Sequence, residues 1–155
     1  MKPKTIAFAC DHRGFLLKQN LIRELQAKGY QVKDFGTNSE ESCDYPDFAV
    51  RAACAVQKGE CDRGIAICHT GTGMSIASNK IDGIRASLCF SVEAAEMARK
   101  HNDANVLCLG AGFIEPDLAK KVCFKWLETE FEGGRHDRRV RKIAEYEKGN
   151  VCGKK

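Results

Sequence analysis

Gly64-Ile65-Ala66-Ile67-Cys68-His69-Thr70-Gly71-Thr72-Gly73-Met74-Ser75 decides how the rest of the chain is read. An apolar, Ile-rich run ends on a cysteine, and a glycine-rich loop follows at once. A helical pattern then begins near Gly73 and runs to Lys80. This order puts a thiol at the carboxyl end of a buried strand, beside a loop with little side-chain cover and many free backbone N–H groups. In open α/β sheets ligands bind at that edge, and N–H groups at a helix start favour anions.

Outward from this segment the same alternation repeats. Apolar runs predict strands over 5–10, 31–35, 63–68, 84–89 and 106–109. Helical periodicity covers 15–28, 47–58, 92–100, 115–129 and a charged last helix, 135–148. Gly29 closes the first helix as a C-cap, and Gly133-Gly134 breaks the chain before the last. Repeated β-α units mean a mostly parallel sheet with helices on both faces. No linker separates a second domain, so residues 1–155 read as one.

Composition excludes several classes. The net charge of +4 is mild and concentrated over 135–142, which suits a small anionic ligand better than nucleic acid. No apolar stretch is long enough to span a bilayer, and the start of the chain carries no secretory core. The nine cysteines are scattered, odd in number and without a Cys-x-x-Cys pair. That pattern indicates a reducing, cytoplasmic setting, with no disulfide framework and no metal site.

Most of these cysteines read as small core hydrophobes. Cys68 differs, because it ends its strand against the glycine loop. Two chemistries stay open there. A nucleophile of acyl-transfer type needs a neighbouring base and an oxyanion hole, whereas a base removing a proton next to a carbonyl needs an anion hole for the enediolate. The Thr70-Gly71-Thr72-Gly73 loop matches neither the dinucleotide fingerprint, since Ile76 stands at the third glycine position, nor the P-loop.

Other polar groups gather at element ends. Asp11-His12 follows the first strand in the location equivalent to the loop after Cys68, although an Asp there is commonly a cap. Strand ends one and three are neighbours in many doubly wound sheets. His101-Asn102 closes the fourth helix, where a histidine suits the helix C-terminus and Asn102 reads as its cap. Arg135 and Arg139 stand four apart, so their guanidiniums share a helix face and can clamp a phosphate.

Together these positions resemble the type B ribose-5-phosphate isomerase family, which includes the allose-6-phosphate and galactose-6-phosphate isomerases. The carrying motifs are Ala9-Cys10-Asp11-His12, Asp44-Tyr45-Pro46, the loop and helix from Cys68 to Lys80, His101-Asn102-Asp103-Ala104-Asn105-Val106, and Glu132-Gly133-Gly134-Arg135-His136. Five motifs in order, spread over 5–149, make a specific match. The resemblance implies a Rossmann-like α/β/α sandwich with a five-stranded parallel sheet. It also implies a homodimer, or two such dimers in a tetramer, with each site shared between subunits.

By the family's pattern Cys68 moves a proton between C1 and C2 of a phosphosugar, Thr70 assists with its hydroxyl, and His101 opens the sugar ring. Backbone groups over Gly71, Thr72 and Gly73 would stabilise the enediolate. Asp11, His12 and Asn102 would hold sugar hydroxyls, with Tyr45 and His69 also lining the substrate. Arg135 and Arg139 would hold the phosphate, and neither metal nor organic cofactor is expected. Two departures stand out. Gly112 occupies a position where the family commonly carries a substrate-binding arginine, and His69 stands where glycine or serine is usual. Arg13 is a candidate replacement cation.

The resemblance implies ribose 5-phosphate/ribulose 5-phosphate isomerisation first, with another phosphosugar (allose 6-phosphate, galactose 6-phosphate or a tetrose phosphate) as runner-up. A non-catalytic sugar-phosphate-binding module is the rival from another class. It leaves Cys68, Thr70 and His101 without a purpose. A thiol hydrolase lacks a clear partner histidine and acid.

Overall fold

The structure is a computed structural model that describes residues 3–149; the outermost positions of the 1–155 domain reading lie outside the described residues. Its elements run β1 (Thr5–Cys10), α1 (Phe15–Ala27), β2 (Gln31–Asp34), α2 (Tyr45–Gln57), β3 (Arg63–Cys68) and α3 (Thr72–Ser78). They continue with β4 (Ala86–Leu88), α4 (Val92–Asn102), β5 (Val106–Gly110), α5 (Pro116–Glu128) and α6 (Arg135–Lys148). The strands form one parallel sheet in the order β2-β1-β3-β5-β4. The chain leaves β1 toward opposite sides to reach β2 and β3, so the crevice between β1 and β3 is the topological switch point.

Side chains alternate across each strand, and here the alternation sorts them by size. Ile6, Phe8, Ile65, Ile67, Leu107 and Leu109 enter the core shared with Leu21 of α1 and Trp126 of α5. Ala7, Ala9, Ala66, Cys68 and Cys108 enter the opposite core, against Ala49, Ala52 and Ala53 of α2 and Met74 of α3. Small residues on both surfaces let α2 lie close to the sheet. Period two therefore directs the Cys68 thiol to the thin layer under α2 and α3.

Two predicted elements are shorter than expected. The 84–89 strand is reduced to Ala86–Leu88. The N–H groups of Arg85 and Ala86 instead bond the side-chain oxygens of Asn105 (2.8 Å) and Asn79 (2.7 Å), which end the ladder at this sheet edge. The third helix stops at Ser78, two residues before Lys80. The cap of α4 is Asp103, with φ of 46°, in place of Asn102.

The 36–44 connection is polar but anchored. Lys18, fully buried, reaches the Asp34 carboxylate at 2.6 Å and the Thr37 carbonyl at 2.7 Å. A Cβ on Gly36 would come within 2.7 Å of the Cys10 nitrogen, so the loop presses directly on the end of β1. This attachment sets the approach of α2 toward the switch point.

Candidate active site

Cys68 is 5 % exposed and receives the Gly71 N–H at 3.1 Å on its sulfur. Gly71 adopts φ of 77°, a left-handed conformation open to glycine, and added bulk would meet Leu88 and the Leu109 carbonyl carbon. That turn brings the Gly71 N–H onto the Cys68 sulfur. Among the other buried thiols, burial pushes Cys10 up to about 12 and also raises Cys108 and Cys123, which keeps these three protonated.

The rest of the loop is turned outward. Thr70 and Thr72 are exposed, and the Thr70 Oγ1 accepts the Thr72 N–H at 3.2 Å. Gly73 faces the Tyr45 ring, which a Cβ would approach to 2.7 Å, so glycine is what seats Tyr45 over the loop. Across the crevice, Asp11 Oδ1 accepts the N–H groups of Arg13 (2.9 Å) and Gly14 (3.1 Å). The ordinary turn role of Asp11 is real, and it also holds the carboxylate at the edge of β1. His12 is fixed by Nδ1, which accepts the Cys43 N–H at 3.3 Å. Cys43 was not singled out in the sequence, yet it ties the residue before Asp44-Tyr45 to His12.

His69 and Gly112 prove to be one feature. A Cβ at position 112 would overlap the His69 ring, at 2.5 Å from Nδ1, and the Gly112 N–H donates to the His69 carbonyl at 2.9 Å. The ring also leans on Phe113, 5.7 Å between centroids. The imidazole thus fills the space that any side chain at 112 would use. Arg13 lines a groove with Ala111 between α1 and the start of α5.

His101, Asn102, Arg135 and Arg139 lie elsewhere. The segment after α4 meets the amino end of β3, where Gly64 donates to the Asn105 carbonyl at 2.9 Å. Four residues of strand separate Gly64 from Cys68, roughly 13 Å at about 3.3 Å per residue. His101 stacks on His136, with centroids 4.3 Å apart and an 11° tilt, and its Nε2 stands 3.8 Å from Glu132. Burial, then His101, Arg135 and Arg139, lowers the pKa of His136 and favours its neutral form. Its Nε2 then accepts from Arg135 Nε at 3.4 Å. Arg135 and Arg139 are exposed, with no carboxylate in ion-pair range among the described residues.

His101, Glu132 and His136 bring metal-ligating atoms within 4.8 Å of one another. Stacked rings hold their in-plane lone pairs parallel rather than convergent, and Arg135 already occupies one nitrogen. This arrangement suits a ring pair that orients His101 better than a chelate. His136 was missed in the sequence because adjacency to Arg135 gives no hint that its ring turns back onto α4.

The predicted residues therefore form two groups in one chain: Asp11, His12, Tyr45, Cys68 and His69 to Gly73 at the switch point, and His101, Asn102, Arg135 and Arg139 at the opposite end of the sheet.

Residues 6–143 match the ribose/galactose isomerase family model. Ribose-5-phosphate isomerase B of Escherichia coli is 48% identical over 144 residues, covering 93% of this chain and 97% of that protein. The Clostridium thermocellum ribose-5-phosphate isomerase B structure superposes with a TM-score of 0.92 at 52% identity, covering 93% of this chain and 97% of that one. The Mycoplasma genitalium enzyme, solved with bound ribulose-5-phosphate, gives 0.91 at 42% identity over 94% of this chain and 97% of that one. With that much of its length matched and the same sheet beneath it, the chain belongs to the ribose/galactose isomerase family.

Proposed function

We propose that this protein interconverts ribose 5-phosphate and ribulose 5-phosphate through a cis-enediolate, with Cys68 as the base. The observation that carries the reading is the Gly71 N–H on the Cys68 sulfur, 3.1 Å away at the mouth of the switch point. Cys68 takes the proton from the carbon beside the carbonyl and returns it to the adjacent carbon. The negative charge that develops on the sugar oxygens is met by backbone N–H groups over 70–73, assisted by the Thr70 hydroxyl. Asp11, His12, Tyr45 and His69 line the sugar.

His101 opens the ring, Asn102 holds a hydroxyl, and Arg135 and Arg139 clamp the phosphate. These four come from a second copy of the chain, because their own sheet holds them a strand length from their own Cys68. The working unit is a homodimer, with a tetramer as a pair of dimers. Exposed apolar residues flank both groups: Phe113 and Phe90 beside the thiol loop, Ile143 and Tyr146 on α6. No metal or organic cofactor enters this reaction. The domain is single, and its setting is cytoplasmic, a reading supported by eight unpaired thiols among the described residues. No helix of the described residues is long and apolar enough to cross a membrane.

One observation favours a second reading within the class. With His69 packed into the space over Gly112, the substrate rim differs from a rim carrying an arginine there, and another phosphosugar can be preferred. An assay panel of pentose, hexose and tetrose phosphates with EDTA-treated enzyme tests both. Turnover fastest on ribose 5-phosphate is expected. Faster turnover of a hexose or tetrose phosphate transfers the assignment to that sugar, and no turnover of any of them reduces the protein to a binding module.

A further inference from the structure

Arg63 opens β3 with a side chain only 9 % exposed. Its Nη1 donates to the carbonyls of Trp126 (3.1 Å) and Leu127 (3.2 Å), and its guanidinium lies 5.3 Å from the centre of the Trp126 ring. No carboxylate among the described residues comes within ion-pair distance of it. Its neighbours do not fill the gap. Arg99, also buried, faces the same indole at 5.8 Å. The Asp103 carboxylate is divided between Arg99 (2.8 Å) and Arg85 (3.0 Å). Asp62 spends its Oδ2 on the N–H groups of Lys4 (2.7 Å) and Thr5 (2.8 Å). Burial and the like charge of Arg99 push Arg63 down to about 10. A buried charge is tolerated when it is paired. Arg63 is hydrogen-bonded through Nη1 but makes no ion pair among the described residues, and Asp103 and Asp62 act on it only from beyond ion-pair range.

A cavity of about 360 Å³ opens among Arg63, Arg85, Arg99, Asp62 and Asp103 at the amino end of the sheet. Neither Arg135 nor Arg139 lines it. We propose that this cavity is an anion site that takes a tetrahedral oxyanion, either orthophosphate or the phosphate group of a phosphate monoester. Guanidiniums reach it from three elements, β3, α4 and the entry to β4. Arg63 keeps Nε and Nη2, and Arg99 keeps Nη2, without a hydrogen-bond partner among the described residues. Arg85 is bonded through Nε, Nη1 and Nη2 and adds mainly charge. A phosphate, with its higher charge and tetrahedrally spread oxygens, answers donors arriving from two elements beside a third cation better than a planar carboxylate. The cavity also touches the segment that follows His101-Asn102, because Arg85 Nε donates to the Asn102 and Asp103 carbonyls at 3.0 Å.

Trp126 is the single tryptophan of the chain and is fully buried beside both arginines, so its fluorescence reports on this cavity. The test is a titration of the intact protein with orthophosphate against chloride at matched ionic strength. The expected result is a saturable, phosphate-specific change in Trp126 emission. It should persist in Arg139→Ala, which breaks the other phosphate-binding group, and weaken by about tenfold or more in Arg63→Met. No phosphate-specific change in the unmodified protein overturns the proposal, as does an equal affinity in Arg63→Met or loss of the signal in Arg139→Ala. Should Arg63→Met not fold, Arg63→Lys keeps the charge and removes the fork, and an unweakened response there also overturns it. Glycerol 3-phosphate in parallel separates the two sources. A response as strong as that to orthophosphate assigns an ester, and a weaker one assigns the free ion.

Discussion

The two ends of the parallel sheet are built from different materials. At the carboxyl end the groups that matter are backbone: the Gly71 N–H on Cys68, the left-handed turn at Gly71, and glycines that let Leu88, Leu109 and Tyr45 press in. At the amino end they are rings and guanidiniums: His101 stacked on His136, with Arg135 and Arg139 exposed on α6. Proton transfer at carbon needs a buried donor array that does not reorganise, which backbone supplies. Phosphate capture needs mobile charge at the surface, which arginine supplies. In the proposed isomerase each end is half of a site, and the two halves carried by one chain stand a strand length apart.

The largest effect should come from breaking the thiol end. Cys68→Ala is expected to lower turnover by roughly a hundredfold to ten-thousandfold while phosphosugar affinity stays near its original value. Mixing it with His101→Asn then probes the division itself. Randomly assembled dimers of two inactive chains regain about a quarter of the original activity if each site draws Cys68 and His101 from different copies. A mixture as inactive as its components places both residues in one chain's site.

At the charged end, Arg135→Ala or Arg139→Ala should raise KM by about tenfold to a hundredfold, the worth of a charge-assisted contact of roughly 1.5–3 kcal/mol. An unchanged KM in both variants returns these arginines to a solvated helix face. A kcat loss without a KM change would contradict a clamp and favour a role in the chemical step.

The His69–Gly112 contact sharpens the comparison in a smaller way. The family resemblance, with its usual arginine at this position, implies that Gly112→Arg improves ribose 5-phosphate turnover if the missing arginine has shifted the substrate range. With the His69 ring seated where that side chain must start, the single substitution displaces the ring, and the gain should emerge only together with His69→Gly. A double-mutant cycle on kcat/KM should show coupling of about 0.5–3 kcal/mol. Additive effects would mean that the two positions do not share space during catalysis.

The smallest expected effect is acid sensitivity at the amino end. His136 has its pKa lowered in the folded protein, so the unfolded chain binds the extra proton more readily. Stability from this group is complete above the ordinary histidine value, about 6.5, and falls as pH drops below it. His136→Phe keeps a ring on His101 and should flatten the unfolding profile between neutral and mildly acid pH. An identical profile in the variant would assign that acid sensitivity to other groups.

Local signals made the architecture legible. Strand and helix periods, Gly29 after α1 and the glycine loop after Cys68 are short-range features, and the structure reproduces them to within a few residues. Where boundaries moved, side chains distant in sequence had taken over backbone bonds, as Asn79 and Asn105 do at β4. Of the candidate site, the residues named from the sequence were readable one by one, whereas Cys43 and His136 were not. The grouping was not readable either, since Cys43 reaches His12, and His136 reaches His101, only through packing.

The sequence by itself determined the parallel α/β alternation, the placement of Cys68 at a strand end and the pairing of Arg135 with Arg139, because these follow from periods of two and 3.6 and from glycine's freedom. Tertiary structure alone decided that the predicted residues fall into two groups a strand length apart. It also decided that His69 and Gly112 are one packing unit and that Arg63 is buried beside Arg99 without an ion-pair partner among the described residues. These are facts about distance between segments, and distance depends on how the sheet orders its strands and on which core each side chain enters.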